Sequence, residues 1–138
     1  MSSMSTTKKT RTSSANGTRG SGWITRPRRL ALYLRDGFRC QYCGADLAGA
    51  PAERLTLDHL TAGHADHRDQ NLVLACLSCN SARQDKPWRR YATGGAVERI
   101  VRQRRKSIAR FLALAREILR GGTEWGTART RAAELRTI

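Results

Sequence analysis

The pattern of apolar and polar residues in the first half of the chain predicts two short elements. Residues 28–35 (RRLALYLR) are predicted to form a helix, with Pro27 at its start and Gly37 just past its end. Proline suits a first helical turn because its missing N–H has no partner there, and glycine tolerates the backbone geometry that ends a helix. Residues 54–60 (RLTLDHL) alternate leucine with polar side chains, which indicates a strand.

The segment that follows predicts a loop and then a second helix. Residues 61–70 are polar and show no hydrophobic period, so we interpret them as a loop. Residues 71–83 (NLVLACLSCNSAR) are predicted to form a helix, since Asn71 is a favoured capping residue in front of an apolar run.

The longest amphipathic pattern lies near the C-terminus. Residues 96–120 are predicted to form one long helix between glycine pairs at 94–95 and 121–122. Nine apolar side chains of this segment fall near one line when each residue turns the helix by about 100°. Arg104 interrupts the apolar stripe, so it needs exposure or a polar partner. Residues 123–138 are predicted to be a weakly structured basic tail.

These patterns divide the chain into three regions and predict an α+β fold. Residues 1–22 contain 11 Ser or Thr, four basic residues and no acid, so they are predicted to form a disordered basic arm. Residues 23–92 hold all four cysteines and all three histidines and are predicted to be the folded domain. Residues 93–138 supply the amphipathic helix and the tail.

Composition indicates the class of partner. The 138 residues include 26 Lys or Arg against 11 acids, a net charge of +15, which favours nucleic acid over an anionic membrane. Aromatic residues make up only 6%, so the core is small and a metal is expected to staple it. No apolar run approaches the ~18 residues of a membrane span, and the N-terminus lacks a secretory signal. We therefore expect a cytoplasmic protein with no membrane partner.

The four cysteines form two matched pairs, Cys40-x-x-Cys43 and Cys76-x-x-Cys79, with 32 residues between the pairs. Two such pairs can complete a tetrahedral zinc site, and Gly44 suits a tight turn that needs a positive φ. The alternatives are two disulfides or a redox pair. An intracellular chain disfavours the first, and the absence of a thioredoxin-like βαβ pattern disfavours the second. With four sulfur ligands this zinc is expected to hold the fold and to do no chemistry.

Three stretches of the chain together resemble the HNH nuclease family: RDGFRCQYCG (35–44), LTLDHL (55–60) and QNLVLACLSCNSARQDK (70–86). The resemblance implies a small ββα-metal domain, in which a hairpin and a helix surround one catalytic ion. Short zinc-containing proteins of this family are often phage-encoded, which would place the protein in the host cytoplasm.

The same resemblance implies a role for each matched residue in hydrolysing double-stranded DNA. His59 would be the general base, because an imidazole titrates near working pH. Asp58 and Asn80 would hold the catalytic Mg²⁺ or Mn²⁺ through oxygen, making the motif HNN rather than HNH. Asn71 would brace the loop and so orient His59, and the products would carry 5′-phosphates.

Each of these residues also has an ordinary structural interpretation. Asp58 could be a turn acid, Asn71 only a helix cap, and Asn80 a solvated helix residue. Arg83 could hold the scissile phosphate or could be a solvated arginine at the helix end. The loop lacks the Gly-Gly of many family members, and its histidines are left unassigned.

The polar face of the predicted long helix suits a phosphate backbone. Its basic side chains are Arg99, Arg102, Lys106 and Arg110. The competing hypothesis for the whole chain is a zinc-containing module that binds nucleic acid without cutting it. Such a module has no need for Asp58, His59 and Asn80 together.

Overall fold

The computed structural model describes residues 23–61, 66–121 and 124–135. The predicted arm, residues 1–22, lies outside the described residues. Within these ranges the chain forms, in order, α1 (Arg26–Arg35), β1 (Leu55–His59), β2 (Leu72–Cys76), α2 (Leu77–Arg83), α3 (Trp88–Tyr91), α4 (Ala96–Arg104), α5 (Ala109–Gly121) and α6 (Trp125–Leu135). Short 3-10 turns precede the two strands, at Ala52–Arg54 and Asp69–Asn71. The fold combines helices with a small antiparallel sheet of two strands, as the resemblance to the HNH family implies.

Helix α1 confirms the first predicted element. Thr25 caps it through Oγ1, which accepts a hydrogen bond from the Arg28 backbone N–H at 3.4 Å, and proline occupies the first turn. Gly37 follows the helix with φ of +66°, a conformation that glycine adopts without strain. The second half of α1 is buried and packs mainly against α5.

The two strands pair antiparallel, with Leu55 opposite Cys76 and His59 opposite Leu72. The strand predicted at 54–60 is confirmed, but the helix predicted over 71–83 is wrong in its first half, where residues 72–76 form β2. Every residue of β2 is buried, so its apolar run lacks the alternation that marks a strand.

The helix that follows starts later than predicted. Asn71 therefore does not cap a helix; it ends a 3-10 turn in front of β2. Helix α2 begins instead after Cys76, whose Sγ accepts a hydrogen bond from the Cys79 N–H at 3.4 Å.

The C-terminal third is more helical and more divided than the sequence indicates. The long helix predicted over 96–120 is wrong, because α4 ends at Arg104 and α5 begins at Ala109. Ser107 Oγ accepts a hydrogen bond from the Ala109 N–H at 3.2 Å, and such side-chain acceptors favour a new helix start. The weakly structured tail is also wrong, since residues 125–135 form α6, packed on α5 and α1.

The core lies between the sheet and the surrounding helices. Its largest fully buried apolar side chains come from α1, the turn that follows it, the sheet and α4, and include Leu30, Leu32, Phe38, Leu72, Leu74 and Ile100. Arg35 and Asp36 are also buried and form an ion pair, and Asp36 Oδ2 accepts from the Leu74 N–H. In the described part of the chain, no helix has the length and apolarity needed to cross a bilayer.

Candidate functional site

The four cysteines converge on one point. Their sulfur atoms all lie within 4.8 Å of one another, and Cys43 Sγ is 3.9 Å from Cys76 Sγ. Sulfurs that share a tetrahedral zinc at about 2.3 Å are about 3.8 Å apart. All four cysteines are free of disulfides. The cluster therefore suits a metal such as zinc, as the cysteine spacing predicts.

Each cysteine pair lies in a turn shaped for metal binding. The Cys43 N–H points at Cys40 Sγ at 3.5 Å, and the Cys79 N–H points at Cys76 Sγ at 3.4 Å. Gly44 has φ of +79° and donates its N–H to Cys40 O at 2.8 Å, which confirms the predicted positive φ. The N–H groups of Cys43 and Cys79 stabilise the sulfurs of Cys40 and Cys76 in the anionic form that a metal requires.

Helix α4 holds the first cysteine turn through Arg99. Its Nη2 donates to the carbonyl of Gln41 at 2.9 Å and to that of Tyr42 at 3.5 Å, and its Nε also donates to Gln41 at 3.2 Å. Arg99 thus binds the protein's own backbone, which disagrees with its predicted place on a free basic face. The other side of the turn is fixed by the Gln41 N–H, which donates to Leu74 O in β2.

Asp58 and Asn80 lie on the same side of the hairpin, where α2 packs on β1. Thr56 and Asp58 are two residues apart on β1 and share a face, on which α2 packs. Asn80 Nδ2 donates to Thr56 Oγ1 at 2.9 Å, and Arg83, one turn further along α2, reaches Asp58. In the described part of the chain, nothing donates to Asp58 Oδ1 or to the Asn80 side-chain oxygen.

Arg83 is buried, with 5% of its surface exposed. Its Nη1 donates to Asp58 Oδ2 at 2.6 Å and to His59 O at 2.8 Å, and its Nη2 donates to Leu60 O at 2.6 Å. The donors of Arg83 are thus already used inside the domain, which favours a structural role over the phosphate contact suggested by the sequence. The alternative of a solvated arginine at the helix end is wrong, because the side chain is buried.

Tyr42 is the second partner of the Asp58 carboxylate. Its hydroxyl donates to Asp58 Oδ2 at 2.5 Å. Burial and the negative charge of Asp58 raise the pKa of Tyr42, so the phenol stays protonated and remains a donor. Asp58 Oδ2 is thus occupied by Tyr42 and Arg83.

His59 ends β1 beside a second histidine. His59 Nε2 lies 3.0 Å from His67 Nδ1, within hydrogen-bond distance. The ring of Trp23 stacks on His67 at 4.7 Å between centroids and lies 5.1 Å from His59. Prediction from the sequence left His67 unassigned and missed Trp23. For His67 the one signal was a histidine in a polar loop, and Trp23 had none. His64, the other loop histidine, lies outside the described residues.

Asn71 braces the loop that follows His59. Its Oδ1 accepts from the Thr61 N–H at 3.0 Å and from Thr61 Oγ1 at 2.9 Å, while its Nδ2 donates to Asp66 O at 3.0 Å. Asn71 is almost fully buried, at 1% exposure, and so ties both described ends of the loop to the start of β2.

Comparison with known families identifies this region. Residues 40–86 match the HNH endonuclease family. The searches of curated proteins and of solved structures found no match to this chain. The HNH match begins at the first cysteine and contains the whole hairpin and α2, so it includes the four cysteines, Asp58, His59, Asn71 and Asn80. It indicates nuclease activity, metal binding and a nucleic-acid partner in general terms.

The remaining predicted DNA contacts of the chain lie outside the HNH match and do not share one helix face. Arg102 is exposed on α4, Lys106 lies in the break between helices, and Arg110 is on α5 with its guanidinium 4.9 Å from the Phe111 ring centroid. The break at residues 105–108 removes the continuous basic face that the sequence predicts, because α4 and α5 are separate helices.

Proposed function

We propose that this protein is a metal-dependent HNH endonuclease that hydrolyses phosphodiester bonds of double-stranded DNA. In this proposal His59 is the general base, Asp58 and Asn80 would hold a catalytic divalent ion, and the four cysteines would hold a structural zinc. The proposal rests on one observation: within the segment that matches the HNH family, α2 packs with Asn80 on the face of β1 that carries Thr56 and Asp58, and His59 directly follows Asp58.

The donor set around Asp58 fits a hard divalent ion. Asp58 Oδ1 and the Asn80 side-chain oxygen are free of hydrogen bonds to the described residues, and oxygen donors suit Mg²⁺ or Mn²⁺. When bound, such an ion stabilises the negative charge that develops on the phosphate and on the leaving 3′ oxygen. The expected products carry 5′-phosphates.

The chain's own residues position the base. His59 lies at the end of β1, where Leu72 of β2 pairs with it and fixes its backbone. Asn71 holds the following loop at Thr61 and Asp66, and the hydrogen bond to His67 orients the ring. The imidazole then accepts the proton of an attacking water, which makes that water nucleophilic.

Arg83 and Tyr42 fix the orientation of the Asp58 carboxylate. Both donate to Asp58 Oδ2, so they hold the carboxylate in one orientation and balance part of its charge. The other oxygen, Oδ1, is left as the ligand that Asp58 contributes. We therefore assign Arg83 a positioning role in place of the phosphate contact.

The test is nicking or linearisation of a supercoiled plasmid across a series of Mg²⁺, Mn²⁺ and Ca²⁺ concentrations. We expect the parent protein to cut with Mg²⁺ or Mn²⁺, and His59→Ala to lower the rate at least about 100-fold. Thr127→Ala, on the exposed side of α6, is the matched control and should cut like the parent. His59→Ala should keep its affinity for the plasmid.

Two outcomes would overturn the proposal. Unchanged cutting by His59→Ala would remove the base from the mechanism. Tight DNA binding by the parent without cutting in any divalent ion would favour the alternative, a zinc-containing binding module.

A further inference from the structure

A groove lined by arginines lies between the second 3-10 turn, α3 and α4. It has a volume of about 460 Å³ and is lined by Gln70, Arg89, Val101, Arg104 and Arg105. Three of its five lining residues are arginines. No acidic side chain is among them.

Ion pairs among the described residues do not neutralise the positive charges of this groove. Among the described residues, the ion pairs of arginine involve Asp36, Asp58, Asp66, Asp69 and Glu117, and none of these acids pairs with a groove arginine. Partial burial, together with the positive charges of Arg89, Arg68 and Arg105, lowers the pKa of Arg104. Like charges held this close without a counterion favour an anion between them.

The protein holds two of these arginines in place. Arg104 Nε donates to Gln70 O at 2.7 Å, which answers the predicted need of this residue for a polar partner. The guanidinium of Arg89 lies 4.5 Å from the Trp88 ring centroid and that of Arg104 lies 5.9 Å from it. Trp88 is itself buried, so the aromatic ring is a fixed platform that orders both side chains.

The groove lies beside the candidate site. Gln70 is two residues before Leu72, and Leu72 is the residue of β2 that pairs with His59. The groove and the end of β1 therefore border the same end of the hairpin. A phosphate chain that crosses His59 could continue into the groove.

We propose that this arginine groove, formed by Arg89, Arg104 and Arg105, binds phosphate groups of a nucleic-acid backbone next to the cleavage site. The inference rests on the proposed function for the identity of the polymer. Guanidinium groups recognise phosphate oxygens bidentately, which suits a groove built from three of them. The groove replaces the continuous helix face as the main phosphate contact.

The test measures the affinity of the full chain for a short DNA duplex, in zinc-containing buffer and in a His59→Ala background so that no cutting interferes. The test variant is Arg89→Gln with Arg105→Gln, because both side chains are exposed. The matched control is Arg54→Gln with Arg131→Gln, which removes two exposed charges outside the groove. Fluorescence anisotropy over 50 to 200 mM salt gives Kd and its salt dependence.

We expect the groove variant to bind about tenfold to about sixtyfold more weakly at 0.1 M salt, since each neutralised phosphate contributes a factor of up to about eight. Its plot of log Kd against log salt should lose about 1.8 from the slope, about 0.9 per phosphate. The control pair should change affinity much less.

An equal loss of affinity in the groove variant and in the control variant would indicate diffuse electrostatic attraction and would overturn the groove proposal. Displacement of the duplex by millimolar inorganic phosphate at constant ionic strength would also overturn it, by showing a free-phosphate site. Failure of the groove proposal and failure of the nuclease proposal can be distinguished. If the groove variant binds DNA more weakly but the parent protein cuts no plasmid, only the nuclease proposal is wrong. If the parent cuts plasmid but the groove variant binds DNA as tightly as the protein with the groove intact, only the groove proposal is wrong.

Discussion

The Arg83 guanidinium and the Asp58 carboxylate form a buried ion pair, with 2.6 Å between Nη1 and Oδ2. It joins α2 to β1 directly beneath the candidate site. The arginine comes from the same helix as Asn80 and lies one turn after it. The element that would supply a metal ligand therefore also supplies the charge that balances the other ligand.

Breaking this pair should destabilise the domain. In Arg83→Met the Asp58 carboxylate stays buried and loses its charged partner, so we expect the free energy of unfolding to fall by about 3 kcal/mol or more. Urea denaturation in zinc-containing buffer measures it. Arg90→Met, on the exposed side of α3, is the control and should change little. A loss no larger than the control's would show that the pair does not stabilise the fold.

Metal removal should unfold the cysteine turns. We expect the purified protein to contain one zinc per chain by elemental analysis. A strong chelator should abolish the cooperative thermal transition, and added zinc should restore it. Cys43→Ser should bind zinc weakly, although Cys43 is the exposed cysteine of the cluster. A chelator-treated protein that melts like the untreated one would contradict a structural metal.

The effect of His67 on plasmid cutting should depend on His59. His67→Ala removes the partner of His59 Nε2, so we expect plasmid cutting to slow by about tenfold or more because the base is less well oriented. In a His59→Ala background the same substitution should have no further effect. An additional loss in that background would mean that His67 acts on the reaction independently.

Arg99 and Arg102 should behave differently although both were expected on one basic face. Arg99→Ala removes hydrogen bonds to the Gln41 and Tyr42 carbonyls, so we expect a loss of about 1.5–3 kcal/mol in the free energy of unfolding. Arg102→Ala, on the exposed surface of α4, should change stability by less than about 0.5 kcal/mol. Equal thermal midpoints for the two variants would contradict the structural role of Arg99.

The parts of the fold that depend on local rules were predictable. The x-x spacing of the cysteines, Gly44 after the first pair, and the proline and glycine around α1 act within a few residues, and the structure confirms them. The assignment of β2 failed because its apolar run is buried on both faces, so periodicity cannot separate a strand from a helix there.

The parts that depend on distant contacts were not predictable. In the sequence Arg83 resembles an exposed arginine at a helix end, and only the tertiary fold brings it into contact with Asp58. Arg99 belongs to a basic pattern, yet its partners are carbonyls 57 and 58 residues away. The roles assigned to Asp58, His59, Asn71 and Asn80 came from the HNH resemblance, and they remain proposals.

Helix α4 links two regions that are far apart in the chain. Arg99 grips the carbonyl oxygens of the first cysteine turn, and Arg104 lies five residues later, about 7.5 Å along the helix axis. Without a metal, the cysteine turn that holds Arg99 would lose its fixed structure. Helix α4 would then no longer be fixed at that end, and the guanidinium groups near its other end would lose their relative positions. Metal binding at the four cysteines and affinity for a polyanion would then be thermodynamically linked. Loss of the metal would weaken the binding of the nucleic acid.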